Sequence, residues 1–268
     1  MKFYEGCTAL ITGASSGLGA EFARQLAPVA RGLVLVARRE DRLEALREEL
    51  LELQPSLQVE IYGADLAVEE QRTRLAGWLG ERAIGIDFLI NNAGLGDHGH
   101  FDSSDWGRVR AMIDVNIGAL THLTHLLLPS MLRSGRAAIL NVSSVASFFP
   151  LPNMAVYSAT KAYVTSLTEA LAIELRPKGI TVTALCPGPV PTEFFDVARR
   201  GEDATAHYET MGPVVVTPAV AVRTGLDAVA RDRARVVPGL LLAVSVGVAL
   251  VVPFFVTREI LRLFSKKL

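Results

Sequence analysis

Thr8-Ala9-Leu10-Ile11-Thr12-Gly13-Ala14-Ser15-Ser16-Gly17-Leu18-Gly19 is a short apolar run, a glycine-rich turn and the first residues of a helical pattern, with nothing in between. Glycine lets a backbone turn tightly and come close to a bound group, and a helix N-terminus offers unpaired N–H groups and the positive end of the helix dipole. A turn so placed, between the first strand and the first helix, is built to receive a pyrophosphate. Gly13, Ser15, Ser16, Gly17, Leu18 and Gly19 are therefore candidate nucleotide-binding residues. Their spacing is Gly-x-x-x-Gly-x-Gly, which departs from the Gly-x-Gly-x-x-Gly of the general dinucleotide fingerprint.

The same alternation continues downstream. β-favouring runs at residues 8–11, 33–37, 58–62, 88–91, 138–142, 181–185 and 235–237 alternate with helical patterns at 17–26, 41–53, 68–79, 104–134, 156–176 and 218–230. Strands separated by helices read as βαβ units, so the expected fold is α/β: a Rossmann-type, doubly wound parallel sheet of about seven strands with helices on both faces. Residues 1–239 read as one catalytic domain, with a substrate lid at about 190–217, and residues 240–268 as a hydrophobic helical extension. The 27 basic and 28 acidic residues nearly cancel, which excludes the electrostatic footprint of a nucleic-acid binder. Cys7 and Cys186 sit in apolar runs and read as buried free thiols of a reducing compartment. The N-terminus has no long apolar stretch of the secretory type, so a cytoplasmic location is expected.

About twenty residues past the glycine turn, an NAD site places an acid on the ribose 2′-hydroxyl. Here Ala37 stands at that point and Arg38 follows it, and a guanidinium suits a 2′-phosphate. NADP is thus expected in preference to NAD. Asp65 and Leu66 follow the third strand and Asn92-Ala93-Gly94 the fourth, at the carboxyl edge where open α/β sheets bind ligands.

Tyr157 and Lys161 are four apart in a helical segment and so lie on one face, one turn apart. A neighbouring ammonium, together with an oxidised nicotinamide, is expected to lower a phenol pKa toward neutrality. Ser144 lies upstream at the end of the fifth strand, where its hydroxyl can meet a substrate oxygen. Asn116 is the polar member of an apolar helical stripe formed by Val109, Met112, Ile113, Ile117, Leu120 and Leu123, and is either structural glue or part of a site.

On these motifs the chain resembles the short-chain dehydrogenase/reductase family over residues 5–240. The family's glycine turn matches at Thr12–Gly19, its Asn-Asn-Ala-Gly at residues 91–94 and its Tyr-x-x-x-Lys at Tyr157 and Lys161. Its serine matches Ser144, thirteen residues before Tyr157, rather than Ser143. Pro187, Gly188, Val190 and Thr192 match the segment that in the family holds the nicotinamide carboxamide, and Asn116 matches the asparagine that holds a water in the proton relay. The resemblance implies a hydride transfer between NADP(H) and a carbonyl or secondary alcohol. In it Tyr157 is the proton donor or acceptor, Lys161 the ribose-binding and tuning group, Ser144 the substrate-orienting hydroxyl and Asn116 the link to solvent. It implies an apolar substrate (lipid-, steroid- or acyl-like) and a homodimer or homotetramer. The alternative, an idle nucleotide-sensing or membrane-anchored scaffold protein, usually lacks part of this tetrad.

Residues 236–256 carry no charge and are followed by a basic amphipathic end. Pro238, Gly239, Gly247 and Pro253 interrupt the run and oppose a membrane span. A helical lid or subunit contact, and a peripheral membrane foot with Arg258, Arg262, Lys266 and Lys267 at the headgroups, remain open. No metal is expected: His98 with His100, and His122 with His125, lack a third ligand at metal spacing. His98, His100 and Phe101 follow the cofactor edge and are candidate substrate contacts, and Phe194, Phe195, Tyr208 and Met211 suggest an apolar pocket under the lid.

Overall fold

The computed structural model describes residues 4–198 and 212–265. Seven parallel strands form one sheet in the order β3-β2-β1-β4-β5-β6-β7. They are β1 (Thr8–Thr12), β2 (Gly32–Ala37), β3 (Gln58–Gly63), β4 (Phe88–Asn91), β5 (Ala137–Val142), β6 (Ile180–Leu185) and β7 (Arg235–Val236). The order reverses between β1 and β4, so the carboxyl ends of these two strands flank the crevice where such sheets bind ligands. The glycine turn leaves β1 there, and Asn92 follows β4.

Both faces of the sheet are covered, which is why its strands read as unbroken apolar runs rather than alternating ones. On one face Ala9, Ile11, Leu33, Leu35, Phe88 and Ile90 pack against α1 (Gly17–Leu26), α2 (Glu40–Leu53) and α7 (Pro218–Ala230) through Phe22, Leu43, Leu50 and Leu226. On the other, Leu10, Val34, Leu89, Ile139 and Val182 meet α3 (Glu69–Glu81), α4 (Trp106–Ser134) and α5 (Ala155–Leu175) through Leu75, Leu123, Leu127 and Leu175. Polar rungs cross this second core. Asn91 and Asn141 are register partners on β4 and β5. Asn91 Nδ2 donates to Asn141 Oδ1 at 2.9 Å and to Thr124 Oγ1 at 3.1 Å, and Asn141 Nδ2 donates to Thr168 Oγ1 at 2.9 Å.

The strands match their expected positions to within a residue, and β7 is shorter by one. The fourth helical pattern is continuous from Trp106 to Ser134, but residues Asp114–Ala119 form a π-helical turn that contains Asn116. This helix is long and apolar enough to cross a membrane; its apolar stripe is instead spent on the core, with Val109, Met112, Leu123 and Met131 buried. Asp105 caps its start by accepting from Arg108 N at 2.9 Å.

A short helix, α6 (Glu193–Ala198), lies in the expected lid, while Tyr208 and Met211 lie outside the described residues. The tail forms α8 (Leu240–Val251) and α9 (Phe254–Ser265), parted at Pro253, and Gly247 does not break α8. Twelve residues of helix span about 18 Å, short of the ~30 Å hydrocarbon core of a bilayer.

Candidate active site

The turn after β1 is riveted to β4. Thr12 Oγ1 accepts from Asn92 N and Ala93 N, both at 3.0 Å, and Asn92 Nδ2 donates to Thr12 O at 2.9 Å and Gly13 O at 3.2 Å. Gly13 has a φ of +67°, and a Cβ there would lie 2.9 Å from Ala93 Cα. A Cβ on Gly19 would drive into the Gly13 carbonyl and stand 2.6 Å from Asn92 Nδ2. Two segments that carry side chains elsewhere are thus brought together by the lack of them. No side chain caps the start of α1, whose residues Gly17 and Leu18 line the cavity, so its first N–H groups have no side-chain acceptor at the cap. This cradle fits a pyrophosphate.

At the end of β2, Ala37 is buried and Arg38 is exposed on the cavity rim. Arg39, next along the chain, reaches over the glycine turn: its Nη2 donates to Ser15 Oγ at 3.2 Å and Ser16 Oγ at 3.0 Å. Its Nη1 pairs with Glu193 Oε2 at 3.0 Å, and Arg42 pairs with the other oxygen of Glu193. Asp65 lines the same cavity, and its carboxylate accepts from Ala67 N at 3.0 Å.

The other end of the cavity is buried. Tyr157 and Lys161 share a face of α5, with Lys161 Nζ 5.7 Å from the Tyr157 ring centroid. Nζ donates to the Val142 carbonyl at 2.8 Å, which draws the ammonium toward the end of β5. Burial pushes the Tyr157 phenol up to about 12, partly offset by a hydrogen bond from Ser144. Burial also pushes Lys161 down to about 8. Lys161 by itself does not bring about the expected lowering of the phenol. Desolvation of a phenolate outweighs an ammonium set beside the ring and engaged by a carbonyl. Ser144 caps the short turn at Val145–Phe148, accepting from Ala146 N at 3.1 Å.

Asn116 is buried but does not border the cavity. Its amide clips the backbone of Leu95, accepting from Leu95 N at 2.8 Å and donating to Leu95 O at 2.9 Å, and it also donates to Thr160 Oγ1 at 3.0 Å. These bonds hold the loop after β4 against α5.

One cavity of about 850 Å³ is bordered by all the expected cofactor-binding residues except Gly19, and by Ser144, Tyr157 and Lys161 of the expected tetrad; Asn116 is not in its lining. That volume is typical of a site for a cofactor and a small molecule. Its substrate end is apolar: Leu95, Val145, Leu151, Met154 and Phe194 surround Tyr157, and the Phe194 ring lies 5.5 Å from the Tyr157 ring. His98 borders this cavity, whereas His100 and Phe101 line a second, smaller hollow that shares Pro152, Asn153 and Tyr157 with it. His122 accepts from Arg72 Nε at 3.2 Å, and no group of metal-binding side chains occurs among the described residues. Gly188 is backed by the tail: a Cβ there would run into the Leu242 side chain of α8. Thr12 belongs to the glycine-turn motif, and Arg39 lies beside Arg38; Glu193 and Leu242 have no such signal in the sequence.

Comparison with known proteins agrees with this geometry. The short chain dehydrogenase family model matches residues 7–203. A sulfoacetaldehyde reductase of Chromohalobacter salexigens is 38% identical over 212 residues, covering 77% of this chain and 81% of that protein. Among solved structures, a short-chain dehydrogenase from Sphingobium yanoikuyae in complex with NADPH is 37% identical, with a TM-score of 0.77 over 87% of this chain and 88% of that one. A bulky-bulky ketone specific alcohol dehydrogenase from Comamonas testosteroni is 31% identical, with a TM-score of 0.73 over 87% and 86%. Both NADP and NAD occur in the solved structures that the chain matches. The chain belongs to the short-chain dehydrogenase/reductase family and is an NAD(P)-dependent oxidoreductase acting on alcohol or carbonyl groups.

Proposed function

We propose that this enzyme interconverts an apolar ketone or aldehyde and its alcohol with NADP(H). One observation carries the reading: the Tyr157 hydroxyl and Ser144 stand at the apolar end of the same cavity whose other end is the glycine turn with Arg38 and Arg39. NADPH, when bound, supplies the hydride. Ser144 orients the substrate oxygen, and Tyr157 gives that oxygen its proton in reduction or takes it back in oxidation. A phenol held at about 12 is protonated at neutral pH but a weak acid, so the donor role calls for the charge left on it to be stabilised as the proton leaves. Lys161 binds at the ribose side and steadies the charge left on Tyr157 after transfer. Gly13, Ser15, Ser16, Gly17 and Leu18 cradle the pyrophosphate, with Gly19 shaping the turn from behind. Asp65, Leu66, Asn92, Ala93 and Gly94 line the nucleoside side, and Pro187, Gly188, Val190 and Thr192 line the nicotinamide side.

Leu95, Leu151, Met154 and Phe194 favour a bulky apolar substrate over a small anion. NADPH oxidation measured over a panel of bulky ketones, aldehydes and small anionic aldehydes tests this. Turnover confined to the anionic members would overturn the apolar assignment.

The tail is proposed as a peripheral contact with an anionic membrane surface. Leu240, Leu241, Val244, Val248 and Val251 on α8 are exposed, and Arg258 and Arg262 on amphipathic α9 supply the complementary charge. Co-sedimentation of the full chain with phosphatidylglycerol vesicles, absent after truncation at Gly239, is the expected result; equal sedimentation of both would refute it.

A further inference from the structure

Resting on the NADP reading, a second property follows from Glu193. It opens α6, directly after Thr192 of the nicotinamide segment, and borders the cavity. Its carboxylate is held by two guanidinium groups, Arg39 at 3.0 Å and Arg42 on its other oxygen. Arg39 at the same time bonds Ser15 and Ser16 of the glycine turn. The arrangement places a bidentate anion on the cation pair beside the nucleotide cradle, at the end of β2 where a 2′-phosphate is read.

We infer that Glu193 is a specificity-determining residue: its carboxylate occupies the Arg39–Arg42 pair, and the 2′-phosphate of NADP(H) takes these cations over from it, whereas NAD(H) has no group to do so. The exchange is physically balanced. Glu193 releases one negative charge from two cations, and a phosphate of nearly two charges, with three strong acceptor oxygens, replaces it. All three side chains are about two-fifths exposed, so a freed carboxylate is readily rehydrated and the barrier to displacement is small.

Binding of 2′,5′-ADP and 5′-ADP to the full-length protein, measured by calorimetry at fixed ionic strength, tests this without turnover. The wild type is expected to prefer 2′,5′-ADP. Glu193→Gln should tighten 2′,5′-ADP by roughly three- to tenfold, since a competing charge is gone, and leave 5′-ADP within about twofold. Arg42→Gln should shift 2′,5′-ADP binding the opposite way. Equal affinity of the wild type for both nucleotides would overturn the NADP reading itself. A wild-type preference for 2′,5′-ADP that Glu193→Gln leaves unchanged or weakens, or the same direction of change in both variants, would overturn the role of Glu193 alone.

Discussion

The two ends of the cavity are built on opposite electrostatic terms. At the Tyr157 end, ionisable groups are buried, each is met by a neutral hydrogen-bonding partner, and burial moves their pKa values toward the uncharged forms. At the Arg39 end, charged side chains stay about two-fifths exposed and meet each other as ion pairs. Desolvation makes each group at the first end costly to alter, while screening by water makes each group at the second end replaceable. A site so divided fixes its chemistry rigidly and leaves nucleotide choice adjustable.

The sharpest way to break this contrast is at the buried end. Tyr157→Phe should keep NADPH binding within a few-fold and lower kcat by about 10²–10⁴, the range of a positioned general acid. Single-turnover kinetics with near-normal rates would remove Tyr157 from the chemistry. Next in size is the backbone contact at the turn. Gly19→Val should abolish detectable NADPH binding and lower Tm by several degrees, because the new carbons meet the Gly13 carbonyl and the Asn92 amide, neither of which can move freely.

The third test uses pH. Lys161 is held down at about 8 against an ordinary value of 10.5. Between those values the unfolded chain keeps a proton that the folded chain has released, so stability should rise with pH through that window; below 8 both forms are protonated and the cost of burial is constant. Relative to Lys161→Met, the wild type should gain on the order of 3 kcal/mol in unfolding free energy from pH 8 to pH 10.5. A flat difference in urea titrations would contradict the buried ammonium. Tyr157, held up at about 12, acts in the opposite sense only above pH 10. The smallest effect is expected at the exposed end: Arg38→Ala should weaken NADPH by about two- to fivefold, and less at high salt. A hundredfold loss would mean that Arg38 is buried by the bound nucleotide.

Much of the frame was legible in the residues. The strands are apolar runs punctuated by glycine and asparagine turns, and parallel strands buried on both faces leave that signature. Tyr157 and Lys161 stand one helical turn apart in the sequence, and the resemblance to the family singles out Ser144. Less legible were features that depend on what lies across space. The π turn at Asp114–Ala119 changes hydrogen bonding without changing the apolar stripe. Glu193 lies 154 residues from the Arg39 it meets, so no local pattern joins them. The direction of the phenol shift is set by burial of Tyr157, which a four-residue spacing does not encode.

Asn91 and Asn141 have a consequence beyond their own bonds. Sliding β4 past β5 by a single position would carry each amide about 3.3 Å along the sheet and strand it among aliphatic neighbours, at roughly 1–3 kcal/mol per orphaned group. The pair works as a key that admits one alignment during folding. Since Asn92 continues β4 and Ser144 continues β5, that key also sets how far the cofactor cradle stands from the reacting hydroxyls, and errors of assembly there would surface as lost catalysis rather than lost structure.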